Sequence, residues 1–403
     1  MEKNLPPGGC HKESDEKMQN GLLQDGIHGM LPREMMYEGA KKYWDFYNMV
    51  PGAGLFQKEF GFFTLKKWGF GGYWNAQPEQ EKLFGFDPPG RVDMWNLGWT
   101  EAPLCPAFEN KVLEDRGDYE LVQDTVGRSV LFFKGRRKGF MPQYLDHPVK
   151  DRRTWEEKCR WRLDPDTPQR KIDMDAFMPD VIKKAKQGMF VGQSISGGCM
   201  YLRSMMGVEG MMYMLYDDPD LIHDCMKQWL TLMDSVIARH QKQVCIDELF
   251  ISEDICYKNG ALISPNMVRE FFFPYYQQLL TNMKRRQLDP ARPVHLQVDT
   301  DGYCPAVIDL YGEIGLNAMS PFEVAAGCDV VEIGKKHPSL RISGGLDKRE
   351  IAKGPEAIDR MVDRILPVMK ARGGYIPTCD HGVPEEVSLE NYLYFRKRCL
   401  EFA

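Results

Sequence analysis

The chain has 403 residues, of which 43% are hydrophobic and 27% are charged, and its formal net charge is -6. This balance is typical of a globular protein, and the acidic charge gives no reason to expect nucleic acid or an anionic membrane surface as a partner. No apolar run approaches the roughly 18 residues that a membrane-spanning helix needs, and no signal-peptide pattern opens the chain. The cysteines are scattered and odd in number, as is typical of reduced thiols. We therefore expect a cytoplasmic protein.

The N-terminal third is predicted to differ from the rest of the chain. Residues 1–30 are polar and rich in Gly, Asn, Lys and Glu, which favours a flexible arm. We expect such an arm to become ordered against a neighbouring subunit. A homodimer is therefore one expected assembly. Residues 31–403 are predicted to form a single domain, and its first part, 31–140, is rich in aromatic residues. Within that part the stretch YELVQDTVGRSVLFFKG alternates around a Gly-Arg turn and predicts a β-hairpin.

From about residue 180 the sequence alternates regularly between two kinds of segment. Short apolar stretches recur with amphipathic helical segments between most of them; the stretches are MFVGQSISGG, DELFISEDI, RPVHLQVDTDG, IGLNAMSPFE, LRISGGLD and GGYIPTCDHG. This alternation predicts an α/β fold with parallel strands and right-handed crossovers. No GxGxxG or GxxxxGK[ST] element follows a strand, so a (β/α)8 TIM barrel is favoured over an open doubly wound sheet.

Polar residues lie where these predicted strands end, and the carboxyl ends of barrel strands are where active sites are built. The alternative is that loops are polar in any α/β protein. We favour an active site, because most of the predicted strand ends carry a carboxylate. The predicted substrate-binding residues are Glu253, Asp254, Gln193 and His295.

The stretch PVHLQVDTDG places His295, Gln297, Asp299 and Asp301 on one face of a strand. Two neighbouring carboxylates repel each other, so water, a cation or a substrate must compensate them. Asp299 and Asp301 with Cys379 are the right residue types for a three-ligand metal site with an open position. The alternative is that Asp301 starts an ordinary turn and Cys379 is a small buried residue.

His381 is predicted to donate a proton or a hydrogen bond to a substrate oxygen, or else to cap the following loop. Cys379 as a nucleophile is less favoured, because side chains from one strand diverge and no third orienting group is evident. Upstream aromatic residues are predicted to line a flat pocket or to fill the core; they are Trp68, Phe70, Tyr73, Trp74, Trp95 and Trp99.

Several segments between about residues 140 and 400 resemble the uroporphyrinogen decarboxylase superfamily. The resembling segments are HPVKDRRTWEE, ISEDICYKNGALISPNMVREFFFPYY, DTDGY with LYGEIGLNAMSPFE, LRISGGLDKREIAKGPEAI and GGYIPTCDHGVPEEVSLENYLYF. The resemblance implies a (β/α)8 barrel, here with an N-terminal extension. The superfamily divides into porphyrinogen decarboxylases and corrinoid-dependent methyltransferases. The Arg-rich segment of the decarboxylases has no counterpart here, because the corresponding region reads MMYEGAKKYWDFYNMVPGAG.

The methyltransferase branch includes enzymes that hold zinc with a His-x-Cys pair and a later Cys. By resemblance, Asp299 and Asp301 stand in place of the His and the first Cys, and Cys379 falls on the last Cys. Such an oxygen-rich site suits polarisation of a methyl ether oxygen, with zinc as the expected metal, or binds no metal at all.

The resemblance implies an O-demethylase that moves a methyl group from a small methylated donor, best a methoxylated aromatic, to cobalamin. No Asp-x-His-x-x-Gly segment is present, so the cobalamin is expected on a separate corrinoid protein. The phenolate leaving group needs a proton or charge stabilisation, and the expected catalytic residues are His381, Glu323 and Asp299. The alternatives are a lyase of the same superfamily acting on a small carboxylic acid, and a barrel that only binds a ligand or serves as a scaffold.

Overall fold

The structure is a computed structural model that describes residues 25–137 and 142–403. The predicted flexible arm, residues 1–30, lies outside the described residues except for 25–30. The division of the chain at residue 30 and the N-terminal extension therefore stay predictions. Among the described residues, no helix is both long and apolar enough to cross a membrane.

Parallel strands form the centre of the fold, and helices follow most of them. The remaining strands form two smaller antiparallel sheets. The strands are β1 (Arg91–Leu97), β2 (Lys111–Arg116), β3 (Tyr119–Gln123), β4 (Ser129–Phe133), β5 (Gln143–Asp146), β6 (Phe190–Ser196), β7 (Glu248–Ser252), β8 (Cys256–Tyr257), β9 (Gly260–Ala261), β10 (His295–Asp299), β11 (Leu316–Ser320), β12 (Arg341–Ser343) and β13 (Tyr375–Ile376).

The helices are α1 (Glu38–Tyr47), α2 (Pro78–Leu83), α3 (Arg152–Thr154), α4 (Pro168–Ala185), α5 (Gly198–Met206), α6 (Val208–Asp217), α7 (Pro219–His240), α8 (Pro265–Phe271), α9 (Phe273–Arg286), α10 (Pro305–Gly312), α11 (Val330–Lys336), α12 (Lys348–Lys353), α13 (Pro355–Arg372) and α14 (Leu389–Leu400). Proline occupies the first position of α4, α7, α8, α10 and α13, where its missing N–H costs no hydrogen bond. These prolines set the points at which the chain turns into a helix.

The main sheet has seven parallel strands in the spatial order β1-β6-β7-β10-β11-β12-β13. Strands β6, β7 and β10 are buried along their whole length, because one side faces the sheet interior and the other faces helices. Arg91 of β1 and Ile376 of β13 line one cavity, so the sheet is curled with its edge strands facing each other.

The segment 58–63 lies beside the C-terminal edge of this sheet. The Phe60 N–H donates to Thr378 Oγ1 at 2.9 Å, and the Val383 N–H donates to the Gly61 carbonyl at 2.8 Å. In the part of the chain that the structure describes, no eighth strand pairs with both β1 and β13. The α/β architecture is confirmed, whereas the closed (β/α)8 barrel stays a prediction.

Aromatic residues of α1 cover the amino-terminal end of the sheet. The rings of Tyr43, Trp44 and Tyr47 lie 5.3, 4.9 and 4.3 Å from the ring of Phe190, the first residue of β6. The opposite, carboxyl-terminal end carries the loops between strands and helices. The predicted hairpin corresponds to β3 and β4, which pair in an antiparallel sheet with β2 and β5.

Candidate active site

A cavity of about 430 Å³ lies inside the curled sheet. Its volume is within the range of small-molecule sites in proteins. Its walls come from the interior faces of several strands and from the segment that includes Phe60 and Trp74. The lining residues are Tyr43, Lys58, Glu59, Phe60, Trp74, Asn75, Arg91, Asp93, Trp95, Trp99, Phe250, Gln297, Ser320, Ser343 and Ile376.

The predicted aromatic pocket is realised by part of the predicted set. Trp74, Trp95 and Trp99 line the cavity. Trp68 and Phe70 instead pack against the hydrophobic core. The sequence pattern gave no means of separating these two groups, because both lie in the same irregular region between short elements.

Asp299, the last residue of β10, lies next to this cavity. Its neighbour Ser320 lines the cavity, and the Ser320 hydroxyl donates to Asp299 Oδ2 at 2.6 Å. Burial raises the pKa of Asp299 to about 7, and the nearby charge of Asp254 adds to this effect. The side chain is therefore about half protonated at pH 7 and mostly protonated below it.

A chain of hydrogen bonds fixes the orientation of this carboxyl group. The Gln297 amide donates to Ser320 Oγ at 3.0 Å, and the Tyr47 hydroxyl donates to Gln297 Oε1 at 3.4 Å. Because Ser320 accepts from Gln297, its own proton is directed to Oδ2 of Asp299. A proton carried by Asp299 is therefore held on Oδ1.

Asp301 lies just beyond Asp299 and has a half-exposed side chain. Desolvation raises its pKa to about 8, and the charge of Asp299 is the second cause. The charges of Asp254 and Glu323 act in the same direction, whereas Lys348 opposes them. Protonation of one of the two carboxyl groups would relieve the predicted repulsion between Asp299 and Asp301.

Backbone geometry holds the loop after Asp301 in place. Gly302 has a φ of 76°, and a Cβ atom there would lie 2.7 Å from the Tyr257 carbonyl oxygen. Its N–H donates to Glu323 Oε2 at 2.9 Å. The predicted catalytic residue Glu323 therefore anchors this loop and lies near Lys348, with 3.8 Å between Oε1 and Nζ.

His381 joins the same cluster from the segment after β13. Its Nε2 lies 3.8 Å from Asp301 Oδ2. Its ring lies 5.4 Å from the ring of Phe60 and 5.8 Å from that of Trp74, and both of those residues line the cavity. Burial lowers the pKa of His381, and the charge of Lys348 adds to this, so the imidazole is neutral at pH 7. We call Asp254, Asp299, Asp301, Glu323, Lys348 and His381 the rim cluster.

The predicted substrate-binding residue Glu253 has a structural place instead. It is fully buried, and its carboxyl group accepts from the Tyr276 hydroxyl at 2.7 Å and the Tyr311 hydroxyl at 2.9 Å. Burial raises its pKa to about 7. Its neighbour Asp254 is in the rim cluster, with a φ of 42°, and forms an ion pair with Arg203. The positive φ of Asp254 turns the backbone there, so that Glu253 stays buried while Asp254 belongs to the rim cluster.

Gln193 and His295 also lie away from the rim cluster. Gln193 is fully buried, and its Oε1 lies 2.8 Å from His240 Nδ1 on the helix layer outside the sheet. His295 is the first residue of β10, so it lies at the amino-terminal end of the sheet, where its ring packs 4.4 Å from that of Tyr47. Neither position supports the predicted contact with a substrate at the carboxyl-terminal rim.

The three predicted metal ligands are not arranged around one point. Cys379 is fully buried in the hydrophobic core, and its N–H donates to Glu59 Oε2 at 2.8 Å. Burial raises the pKa of its thiol well above the usual value, so the thiol is protonated in the absence of a metal. No group of three or more His, Cys, Asp or Glu side chains among residues 25–137 and 142–403 is placed to hold a metal ion. The donor set Asp299, Asp301 and Cys379 therefore does not fit zinc in this arrangement.

Charged residues of the cavity were missed by the sequence interpretation. Lys58 and Glu59 precede Phe60, while Arg91 and Asp93 point inward from β1. The Arg91 guanidinium forms ion pairs with Asp93 and Glu248. The alternation in RVDMW was a usable signal for β1, but charged residues on the inner face concealed it.

Comparisons with known proteins bear on the family and the fold. A model of the uroporphyrinogen decarboxylase (URO-D) family matches residues 180–402, more than half of the chain. A uroporphyrinogen decarboxylase of Vesicomyosocius okutanii subsp. Calyptogena okutanii is 26% identical over 180 residues, which are 44% of this chain and 48% of that protein. The match thus spans about half the length of this relative. A methyltransferase from Methanosarcina mazei has a similar fold, with a TM-score of 0.57, 12% identity and coverage of 91% of this chain and 99% of that chain.

Proposed function

The chain belongs to the uroporphyrinogen decarboxylase family, and we propose that it is a methyltransferase that demethylates a methoxylated aromatic compound. The acceptor in this proposal is the cobalamin of a separate corrinoid protein. The observation that carries the proposal is the cavity lined by Trp74, Trp95 and Trp99, with Asp299 beside it and Asp301 two residues further along the chain. The methyltransferase fold of the Methanosarcina mazei protein is consistent with it.

The aromatic walls suit a flat ring. Tryptophan side chains offer large apolar faces, and aromatic pairs are stabilised further by stacked or edge-on contacts. Trp95 and Trp99 lie together, with 5.5 Å between their ring centres, and Phe250 lies 6.0 Å from Trp95. A donor ring held among these side chains is shielded from water on its faces.

The carboxyl groups suit the departure of a phenol. Cobalamin supplies the nucleophile that accepts the methyl group. When the bond between methyl carbon and oxygen breaks, the oxygen keeps the electron pair and would leave as a phenolate, whose conjugate acid has a pKa of about 10. Asp299 and Asp301, with pKa values raised to about 7 and 8, are partly protonated at neutral pH and are stronger acids than the phenol. Transfer of a proton to the leaving oxygen is therefore downhill, and solvent restores the acid.

A direct test uses free cob(I)alamin as the acceptor, with 2-methoxyphenol, 3-methoxybenzoate and 3-methoxybenzamide as donors. We expect the matching phenol to form, and Asp299→Asn to lower kcat by about 100-fold with little change in KM. Asp175→Asn, on the exposed surface of α4, is the matched control. A wild-type protein that forms no phenol with any donor contradicts the proposal, as does a full rate in Asp299→Asn.

A second candidate function is supported by the cations of the cavity. Lys58 and Arg91 line it, and cations bind carboxylates, as a lyase acting on a small carboxylic acid would require. Release of carbon dioxide from a cavity ligand without cobalamin would favour this alternative.

A further inference from the structure

The two cations of the cavity, Arg91 and Lys58, differ in their ion pairs. Arg91 is matched by two carboxylates, because its guanidinium pairs with Asp93 and with the fully buried Glu248. Lys58 lines the same cavity, yet no carboxylate of the described residues lies within ion-pairing distance of its ammonium group.

The neighbouring Glu59 does not supply the missing charge. Its Oε2 accepts from Thr378 Oγ1 and from the Cys379 N–H, both at 2.8 Å. Its Oε1 is buried without a hydrogen-bond partner among the described residues. Burial raises the pKa of Glu59, which favours a neutral side chain. The carboxyl group of Glu59 therefore holds the segment against the sheet.

An ammonium group that is partly shielded from water and lacks an ion-pair partner is costly. Desolvation lowers the pKa of Lys58 to about 8, and the charge of Arg91 adds to this effect, whereas Asp93 opposes it. An anion that enters the cavity and contacts Lys58 would remove this cost. The site is thus prepared for a ligand that brings a negative charge.

We propose that Lys58 forms a carboxylate-binding subsite and that the cavity takes an aromatic monocarboxylate. The aromatic ring of the proposed ligand follows from the cavity walls, which include Trp95, Trp99 and Phe250. The single charge follows from the ion pairs, because among the described residues Lys58 is the cavity cation without a carboxylate partner. A phosphate dianion would place a second, unmatched charge near Asp93.

This inference deepens the proposed function, because it assigns a carboxylate to the methyl donor. Its test does not depend on methyl transfer. Binding of 3-methoxybenzoate and of the neutral 3-methoxybenzamide is measured at pH 7 by quenching of tryptophan emission, with calorimetry as a second method. The two probes differ in charge but hardly in shape.

We expect the wild-type protein to bind the benzoate about tenfold more tightly than the benzamide, as one charged hydrogen bond would allow. Lys58→Met should remove this preference, and Lys58→Arg should keep much of it. Lys66→Met, a change of an exposed lysine three residues after the segment 58–63, should leave both affinities unchanged. Thermal unfolding of each variant identifies a loss of fold, and Lys58→Gln serves if Lys58→Met does not fold.

Equal affinities of the wild-type protein for the two probes would overturn the inference, as would a preference that survives in Lys58→Met and Lys58→Gln. Displacement of the benzoate by equimolar inorganic phosphate would contradict the assignment to a monocarboxylate. Tight, Lys58-dependent binding without any phenol formation would uphold the subsite and contradict the methyltransferase function, so the two failures are distinguishable.

Discussion

At the scale of single residues, the rim cluster contains two carboxyl groups, those of Asp299 and Asp301, whose pKa values are raised. Asp299 is 8% exposed, with one oxygen bound to Ser320 and with Asp254 nearby. Burial alone would favour the neutral form, and the neighbouring charge makes ionisation harder still. The protonated acids that the proposed chemistry needs are thus a direct result of where β10 ends.

This arrangement predicts a pH-dependent stability. The pKa of Asp299 is higher in the folded state than the unfolded value of 3.8, so the folded protein keeps a proton that the unfolded chain loses. The contribution of Asp299 to the free energy of unfolding therefore falls as pH rises from about 4 to about 7. Asp299→Asn should match the wild type at pH 4 and exceed it by up to about 4 kcal/mol at pH 8. Denaturant unfolding of both proteins across this range checks it.

The control is Asp175→Asn, because Asp175 is exposed and distant from the rim cluster. Its stability difference from the wild type should stay constant with pH. A constant difference in Asp299→Asn as well would contradict the neutral state of Asp299.

Glu253 provides a second prediction at this scale. Two buried tyrosine hydroxyls, those of Tyr276 and Tyr311, donate to its carboxyl group. Glu253→Ala would leave both without an acceptor and should lower the free energy of unfolding by about 2–5 kcal/mol. Glu253→Gln keeps an acceptor oxygen and should cost less. Urea unfolding measures both, and an unchanged stability in Glu253→Ala would refute the structural role.

Among the elements, the short apolar strands were predictable. The six predicted stretches correspond to β6, β7, β10, β11, β12 and β13, because buried parallel strands form short stretches rich in apolar residues between helical segments. Strand β1 was not recognised, since Arg91 and Asp93 on its inner face resemble surface residues. The position of Cys379 was equally unpredictable. Strand β13 ends at Ile376, so no strand periodicity fixes the direction of the side chains after it.

The segment that carries Lys58 and Phe60 depends on one hydroxyl group. Thr378 Oγ1 accepts from the Phe60 N–H and donates to Glu59 Oε2. Thr378→Val keeps the shape but removes both hydrogen bonds, and should cost about 1–3 kcal/mol. Hydrogen exchange of the Phe60 amide should become faster, and ligand affinity should fall, because this wall of the cavity loosens.

Thr231→Val on the outer face of α7 is the matched control, since the Thr231 hydroxyl donates only to the Lys227 carbonyl. Exchange at Phe60 should not change in this variant. If Thr378→Val also leaves it unchanged, other contacts hold the segment.

Over the whole molecule, the two ends of the sheet are covered by different kinds of residues. Helix α1 and His295 pack the amino-terminal end with aromatic rings, while the rim cluster and the loops occupy the other end. The alternation of strands and helices predicted that Asp299, Asp301, Glu323 and His381 end or follow strands, and the structure has them at the ends of or after β10, β11 and β13. This alternation could not show that the cavity is completed by residues 58–99, because contacts between distant segments leave no periodic signal.

The central claim is that the cavity beside the rim cluster holds the methyl donor. A crystal structure with bound 3-methoxybenzoate tests it most directly. The account predicts the ring among Trp74, Trp95 and Trp99, with the methoxy oxygen within hydrogen-bond reach of Asp299 or Asp301. A ring bound outside the cavity, or a methoxy group remote from both carboxyl groups, would contradict it.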